Sequence, residues 1–206
     1  SGAANVDEGS SYSLTLGAVT DPGTDTVSSY IVHWGDGNTG TYLSNGVKTH
    51  TYADGPNDYA ITVDLVDEDG TFLDAANALS VHVANVAPTV TLDAGNDLTV
   101  NEGDSRTYTF SISDPGVDTV DHVTVSCGAN GSAPFNVTNT DSSGSFDCTF
   151  PDGDASSTIT ASATDSDLTT GAADSQDVDI ANVAPTIAIS GAANVDEGSS
   201  YSLTLG

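Results

Sequence analysis

Most of the chemistry this sequence could perform lies in its carboxylates. Of 206 residues, 26 are Asp and 4 are Glu, against 2 Lys+Arg, which gives a formal net charge of -28 at pH 7. The acids return in short clusters: Asp7-Glu8, Asp21 to Asp25 and Asp67 to Asp69, then Glu102, Asp114 to Asp118 and Asp165 to Asp167. Grouped carboxylates can hold a hard cation such as Ca²⁺, which takes roughly 6–8 oxygens. They can also serve as acid and base, or cap turns by accepting nearby backbone N–H groups. Copies of one site in each repeat point to structure rather than catalysis. There is no Gly-x-Ser-x-Gly elbow, no phosphate-cradling glycine loop and no zinc spacing among the two Cys and His33, His50, His82 and His122. The expectation is that the chain is not an enzyme.

The charge excludes classes of partner. Phosphate backbones and anionic membranes are bound through Lys and Arg, so nucleic acid and lipid head groups are poor partners. No apolar run reaches the ~20 residues of a membrane span, and no segment reads as a secretory signal, so any export signal is expected outside this sequence. Such acidity raises the possibility of disorder. Against it stand Trp34, seven Tyr and runs of alternating apolar residues. General acidic adaptation to a saline habitat is a further explanation for the aspartates and needs no specific ion.

Those residues need a scaffold, and the sequence repeats it. Residues 1–17, SGAANVDEGSSYSLTLG, recur unchanged as residues 190–206. Between them lies a diverged duplication: VDEGSSYSL from Val6 matches VNEGDSRTYTF from Val100, and DPGTDTV from Asp21 matches DPGVDTV from Asp114. Asn-Val-Ala-Pro closes each unit at Asn85–Pro88 and Asn182–Pro185, where proline makes a short, stiff link. The expected division is 1–84 for a first domain lacking its first strand, 85–88 for a linker and 89–181 for a complete second domain. A second linker, 182–185, and the first strands of a third domain, 186–206, complete it. The window reads as part of a longer array.

Tyr30, Val32 and Trp34 alternate with polar or outward residues, as do Tyr59, Ile61, Val63 and Leu65, the period-two mark of half-buried strands. Turn clusters at 21–23, 35–37, 53–56 and 67–70 separate about seven short strands per unit. The fold class is all-β: tandem Ig-like antiparallel β-sandwiches stacked end to end. WGDGNTG at 34–40 and HTYADGPNDYAITVDLVDEDG at 50–70 resemble the PKD repeat, an Ig-like sandwich with a Trp-Gly-Asp-Gly turn. The resemblance makes Trp34 and Asp36 structural turn residues, Trp34 packing in the core rather than serving as a sugar platform. The second unit keeps the frame but reads SCGANG from Ser126 and CTFPDG from Cys148.

Aligned on the first unit, Cys127 stands where Trp34 does and Cys148 where His50 does. A paired change to cysteine predicts a Cys127–Cys148 disulfide, in keeping with an exported protein. Ile159, Ala161 and Ala163 replace Ile61, Val63 and Leu65, a burial deficit of up to ~4 kcal/mol. A disulfide worth roughly 3 kcal/mol would offset it.

In such a sandwich the loops alternate between poles. Head-to-tail stacking is expected to bring Glu8 and Asn85 of the first domain to Asp114, Asp165 and Asp167 of the second, a hard-oxygen cluster suited to Ca²⁺. Asp21, Asp67, Asp69, Glu102 and Asn182 are the equivalents at the outer junctions. The arrangement is similar to cadherin-type linkers, where calcium stiffens tandem sandwiches. Asp36 and Asp54 read instead as turn caps. Asn130-Gly-Ser and Asn136-Val-Thr fit the short glycosylation pattern.

The resemblance implies a segment of a long extracellular or cell-surface repeat protein: an adhesin stalk, filament or surface-layer fibre. Its partners would be neighbouring repeats of the same chain and, in a fibre, other copies, with no membrane insertion. The alternative is a polymer- or carbohydrate-binding accessory module of a secreted enzyme, marked by exposed aromatics on one sheet face. A third idea, ranked below covalent continuation, is that Thr186–Gly206 of another copy supplies the first domain's missing strand.

Overall fold

The structure is a computed structural model that describes residues 1–21 and 23–206, so the Asp21-Pro22-Gly23 turn lies partly outside the described residues. Every regular element among them is a strand, and no helix is long and apolar enough to cross a membrane. The first unit contains β1 (Asn5–Asp7), β2 (Ser11–Leu16), β3 (Ser29–His33), β4 (Thr39–Tyr42), β5 (Gly46–Thr51), β6 (Asn57–Val66), β7 (Thr71–Phe72) and β8 (Leu79–Ala84). One sheet runs β1-β8-β6-β3-β4, with β7 beside β6, and faces the pair β2-β5. Strand β1 runs parallel to β8, and the other pairings are antiparallel.

The second unit contains β9 (Thr89–Leu92), β10 (Thr99–Asn101), β11 (Ser105–Ser113), β12 (Val120–Ser126), β13 (Phe135–Asn139), β14 (Ser143–Thr149), β15 (Ala155–Asp165) and β16 (Asp174–Ala181). Its sheets are β10-β16-β15-β12 and β13-β14-β11-β9, the strand order of an immunoglobulin-type sandwich. A last pair, β17 (Ile189–Gly191) and β18 (Leu203–Leu205), forms a separate antiparallel ribbon.

Each sandwich has its own core. Tyr12, Leu14, Val32, Trp34, Tyr52, Ile61, Val63, Val81 and Val83 fill the first. Val90, Leu92, Tyr108, Phe110, Phe146, Phe150, Ile159 and Ile180 belong to the second, together with both cysteines. Ala161 and Ala163 are fully buried in the second core, which also holds Phe110 and Phe146, the residues aligned with Leu16 and Lys48 of the first unit.

The two units differ in one strand. β4 pairs with β3 in the first unit, whereas its counterpart β13 pairs with β14 in the opposite sheet. In the first unit residues 34–38 make a tight turn with Gly35 and Gly37 at φ 92° and 90°. In the second, the longer segment 127–134 crosses over, and the Ser132 N–H already bonds to the Thr149 carbonyl at 2.8 Å.

Candidate metal centre at the junction of the two sandwiches

Glu8 is positioned by the end of the β1–β8 ladder. Asp7 lies opposite Ala84, the Glu8 N–H donates to the Ala84 carbonyl at 3.0 Å, and the chain then turns at Gly9, φ 68°. Its side chain runs past the end of the sheet and is fully buried. Oε2 accepts the Gly55 N–H at 2.7 Å and Oε1 the Val86 N–H at 2.8 Å. The carboxylate thus clamps the outgoing linker to the Asp54-Gly55 turn. Gly55 must be glycine here, because a Cβ would lie 2.9 Å from the Ala84 backbone.

The second sandwich meets this end through the loop after β11 and the turn after β15. Val117 N–H donates to the Ala53 carbonyl at 3.0 Å, and Gly9 packs so closely on Pro115 that a Cβ would lie 2.5 Å from its carbonyl oxygen. Carboxylate oxygens of Glu8, Asp114 and Asp118 then lie within 4.8 Å of one another, as do those of Asp54, Asp118 and Asp167. Asp118 belongs to both groups. Asn85 Nδ2 donates to Asp165 Oδ2 and Thr169 Oγ1, each at 2.9 Å, while Asp165 Oδ1 accepts the Thr169 N–H at 2.8 Å.

Three oxygens here are buried without a hydrogen-bond partner: Asn85 Oδ1, Asp114 Oδ2 and Asp118 Oδ2. Buried acceptors are costly to leave unpaired, and no Lys or Arg among the described residues offsets them. Lys48 lies over the Tyr42 ring, and Arg106 pairs with Asp97 and Asp104. Burial raises the Glu8 carboxyl above its ordinary range, and the nearby Asp118 and Asp114 charges push the same way against its two N–H donors. Burial also raises Asp114, helped by Asp118 and Asp165. Asp167 is raised by desolvation and by Asp118, Asp54 and Asp165. A set of hard, unpaired, mutually repelling oxygens fits a divalent cation such as Ca²⁺.

Of the residues expected at this junction, the structure brings together Glu8, Asn85, Asp114, Asp165 and Asp167, but not in equal roles. Asp165 is occupied as an acceptor for Asn85 and Thr169. Asp54, read as a turn cap, holds Asn57 Nδ2 at 3.3 Å and also belongs to the acid group. Asp118 is the member that sequence reasoning misses, although Asp25 occupies the same place in the parallel DPGTDTV segment.

The residues expected at the outer junctions make bonds within their own units. Asp21 accepts the Gly23 N–H at 3.1 Å, and Asp67 accepts the Asp69 and Gly70 N–H groups at 2.8 and 3.1 Å. Glu102 repeats the linker clamp, taking Gly153 and Val183 N–H groups at 2.8 Å each. Those bonds lower its pKa, the reverse of Glu8. Asn182 is exposed, and no acidic loop approaches it among the described residues.

Cys127 and Cys148 are joined, with Cα atoms 5.7 Å apart, and tie the end of β12 to β14 across the two sheets. In the first unit the same place holds Trp34, 2% exposed, stacked on the His50 ring at 4.7 Å between centroids. His50 Nε2 lies 2.7 Å from Asp36 Oδ2, and Asp36 also accepts the Asn38 N–H at 3.0 Å. Each of the four histidines, scattered along the sequence, has an aspartate within 2.9 Å: His33 with Asp64, His50 with Asp36, His82 with Asp58 and His122 with Asp121.

No family model and no curated protein matches the chain. Among solved structures it is similar to fibronectin(III)-like modules of Clostridium thermocellum CbhA, at 17% identity and a TM-score of 0.36 over 86% of this chain and 89% of that one. The D00-D0 domain of Intimin matches at 13% identity and 0.34 over 86% and 94%. The sialic acid binding region of a Streptococcus sanguinis SK1 adhesin matches at 13% and 0.30 over 86% and 75%. TM-scores of this size carry no weight beside the sheet pairing itself, which defines the sandwiches.

Proposed function

We propose that the chain is a structural, non-catalytic segment of a long extracellular repeat protein, built from PKD-like sandwiches whose junction is stiffened by Ca²⁺. The observation that carries this reading is the meeting of Glu8 from one sandwich with Asp114 and Asp118 from the next, around oxygens that have no partner. Glu8, Asn85, Asp114 and Asp118 would hold the ion, and Asp54 and Asp167 would extend the site on its open side. The ion would supply the missing positive charge and link two rigid bodies that otherwise repel each other. A disulfide suits an oxidising, extracellular setting. The alternative of a polymer-binding module finds less support. Tyr12, Trp34, Tyr52, Tyr108, Phe110, Phe146 and Phe150 are buried, while the exposed Phe72, Phe135 and Tyr201 lie on three different elements or loops.

Calorimetric titration with Ca²⁺ and small-angle scattering with and without EDTA test the reading. Ca²⁺ should bind to the wild type, narrow the distribution of inter-domain distances and raise the melting midpoint. Asp118→Asn should lose all three responses. A wild type whose shape and melting ignore chelation at low salt would remove calcium from the proposal.

A further inference from the structure

We propose that the junction takes two divalent cations, an enclosed ion held by Glu8, Asn85, Asp114 and Asp118 and an outer ion held by Asp54, Asp118 and Asp167, with Asp118 bridging them. This deepens the Ca²⁺ reading above and rests on it. Ligand oxygens lie roughly 2.3–2.6 Å from Ca²⁺, so two oxygens on one ion are at most about 5 Å apart. Among the described residues, the junction acids come that close as two sets of three and not as one set of five. Glu8 groups with Asp114 and Asp118, and Asp54 groups with Asp118 and Asp167, all within 4.8 Å of one another in each set. Asp118 alone serves both.

The enclosed position has the marks of a built site. Asp165 and Thr169 hold the Asn85 amide through Nδ2, which leaves its Oδ1 buried without a partner, like Asp114 Oδ2 and Asp118 Oδ2. Gly116 keeps space among these oxygens. A Cβ there would lie 2.8 Å from Asp118 Oδ2 and 2.9 Å from Glu8 Oε1. Gly116 is not among the glycines of positive φ, so it is the room between two carboxylates that requires glycine. The other oxygen of Asp118, Oδ1, accepts the Ser166 hydroxyl at 3.0 Å, on the turn that carries Asp167. Asp118 thus shows one oxygen to each set.

Charge calls for the second ion. Glu8, Asp54, Asp114, Asp118, Asp165 and Asp167 bring six carboxylates to the junction, and one divalent ion balances only two of them. Near a low-dielectric interior the remainder repel one another more than in water. The outer set is more open, since Asp54 and Asp167 are exposed, and its ion would keep several waters. Filling is ordered. Asp54 comes from the first sandwich and Asp167 from the second, so the outer ion follows the enclosed one, which closes the junction. One ion alone is a pivot, and a second beyond Asp118 opposes twist about it.

The test uses the full chain, crystallised with Ca²⁺ and measured by long-wavelength anomalous scattering, with titration calorimetry at about 0.15 M salt to screen diffuse attraction to the acidic surface. The wild type should show two peaks about 4 Å apart on either side of Asp118, the spacing of paired metals that share ligands. Asp167→Asn, at an exposed site, should lose the outer peak, keep the enclosed one and take up one ion fewer. Gly116→Ala keeps every carboxylate and should lose both peaks, with circular dichroism verifying its fold. That pattern supports the pair. A single peak in the wild type, an Asp167→Asn chain that binds as many ions as the wild type, or Gly116→Ala binding unchanged overturns the pair and leaves a junction with one ion. No peak and no heat in the wild type removes the junction ion itself, and the pair with it.

Discussion

The two sandwiches fasten the same point in different ways. In the first, Trp34 stacks on His50, and His50 meets Asp36 at the tip of a glycine turn. In the second, one covalent bond between Cys127 and Cys148 replaces the stack. The carbonyl beside the fastener also has different donors. Trp34 O accepts the Tyr52 hydroxyl at 3.0 Å, and Cys127 O accepts the Ser157 hydroxyl at 2.7 Å. The position must be tied because the chain leaves one sheet there and the two sheets need a cross-link, but the chemistry of the tie is free. The tie also governs the path of the next strand. A turn bound to Asp36 returns β4 alongside β3, whereas the looser loop after Cys127 delivers β13 to the other sheet.

The largest effect should come from the covalent tie. Reduction, or Cys127→Ala with Cys148→Ala, should destabilise the second sandwich by about 3 kcal/mol, since the bond closes a loop with a sequence separation of 21. Its melting midpoint should fall by on the order of 10–20 °C, with the first sandwich unchanged in the same calorimetric scan. Equal sensitivity of both transitions would break the comparison. Next, His50→Ala should destabilise the first sandwich by about 2 kcal/mol through loss of the stack and of the Asp36 bond. Fluorescence of Trp34, the single tryptophan, reads that unit alone.

The linker clamps allow finer contrasts. Glu8→Gln turns an amide NH₂ towards a backbone N–H, at a cost of roughly 1–3 kcal/mol. Glu102→Gln should weaken the second clamp in the same direction. Only Glu8→Gln should also abolish the response to Ca²⁺ in titration calorimetry. The smallest effect is on pH. The Glu102 carboxyl lies below its ordinary 4.5, so its stabilising contribution is present above that value and fades as pH falls through the lowered pKa. The Glu8 carboxyl lies above 4.5, so without metal its contribution is present below that value and fades as pH rises through the raised one. Amide exchange should therefore show Val183 losing protection as pH falls below the ordinary 4.5 of a glutamate carboxyl.

Much of the fold was legible because alternation is written residue by residue: Tyr30, Val32 and Trp34 do face the core. The internal alignment sufficed to pair the cysteines, since a substitution made twice at one contact leaves its mark in both strands. The sheet change of β13 was not legible, because it depends on loop length and turn geometry rather than on the strand's own pattern. Asp54 and Asp118 escape notice for a related reason. Each also fits a local turn, and only the meeting of two sandwiches gives it a second neighbour. The His33–Asp64 and His82–Asp58 pairs span 31 and 24 positions along the chain and arise from cross-strand register. The Glu-Gly at 8–9, 102–103 and 197–198 was the available signal for the clamp. Its meaning depends on the linker's N–H groups, which only the folded chain brings to it.

The unlike middle unit has a consequence for synthesis. Adjacent repeats with similar sequences misassemble by trading elements before either is finished. Here the unchanged segments, residues 1–17 and 190–206, are separated by a sandwich with a different fastener and a different fourth strand. A ribosome emitting this chain would release that dissimilar body before the second identical segment emerged. The spacer therefore delays any trade between twins until each has a folded neighbour to hold it in place.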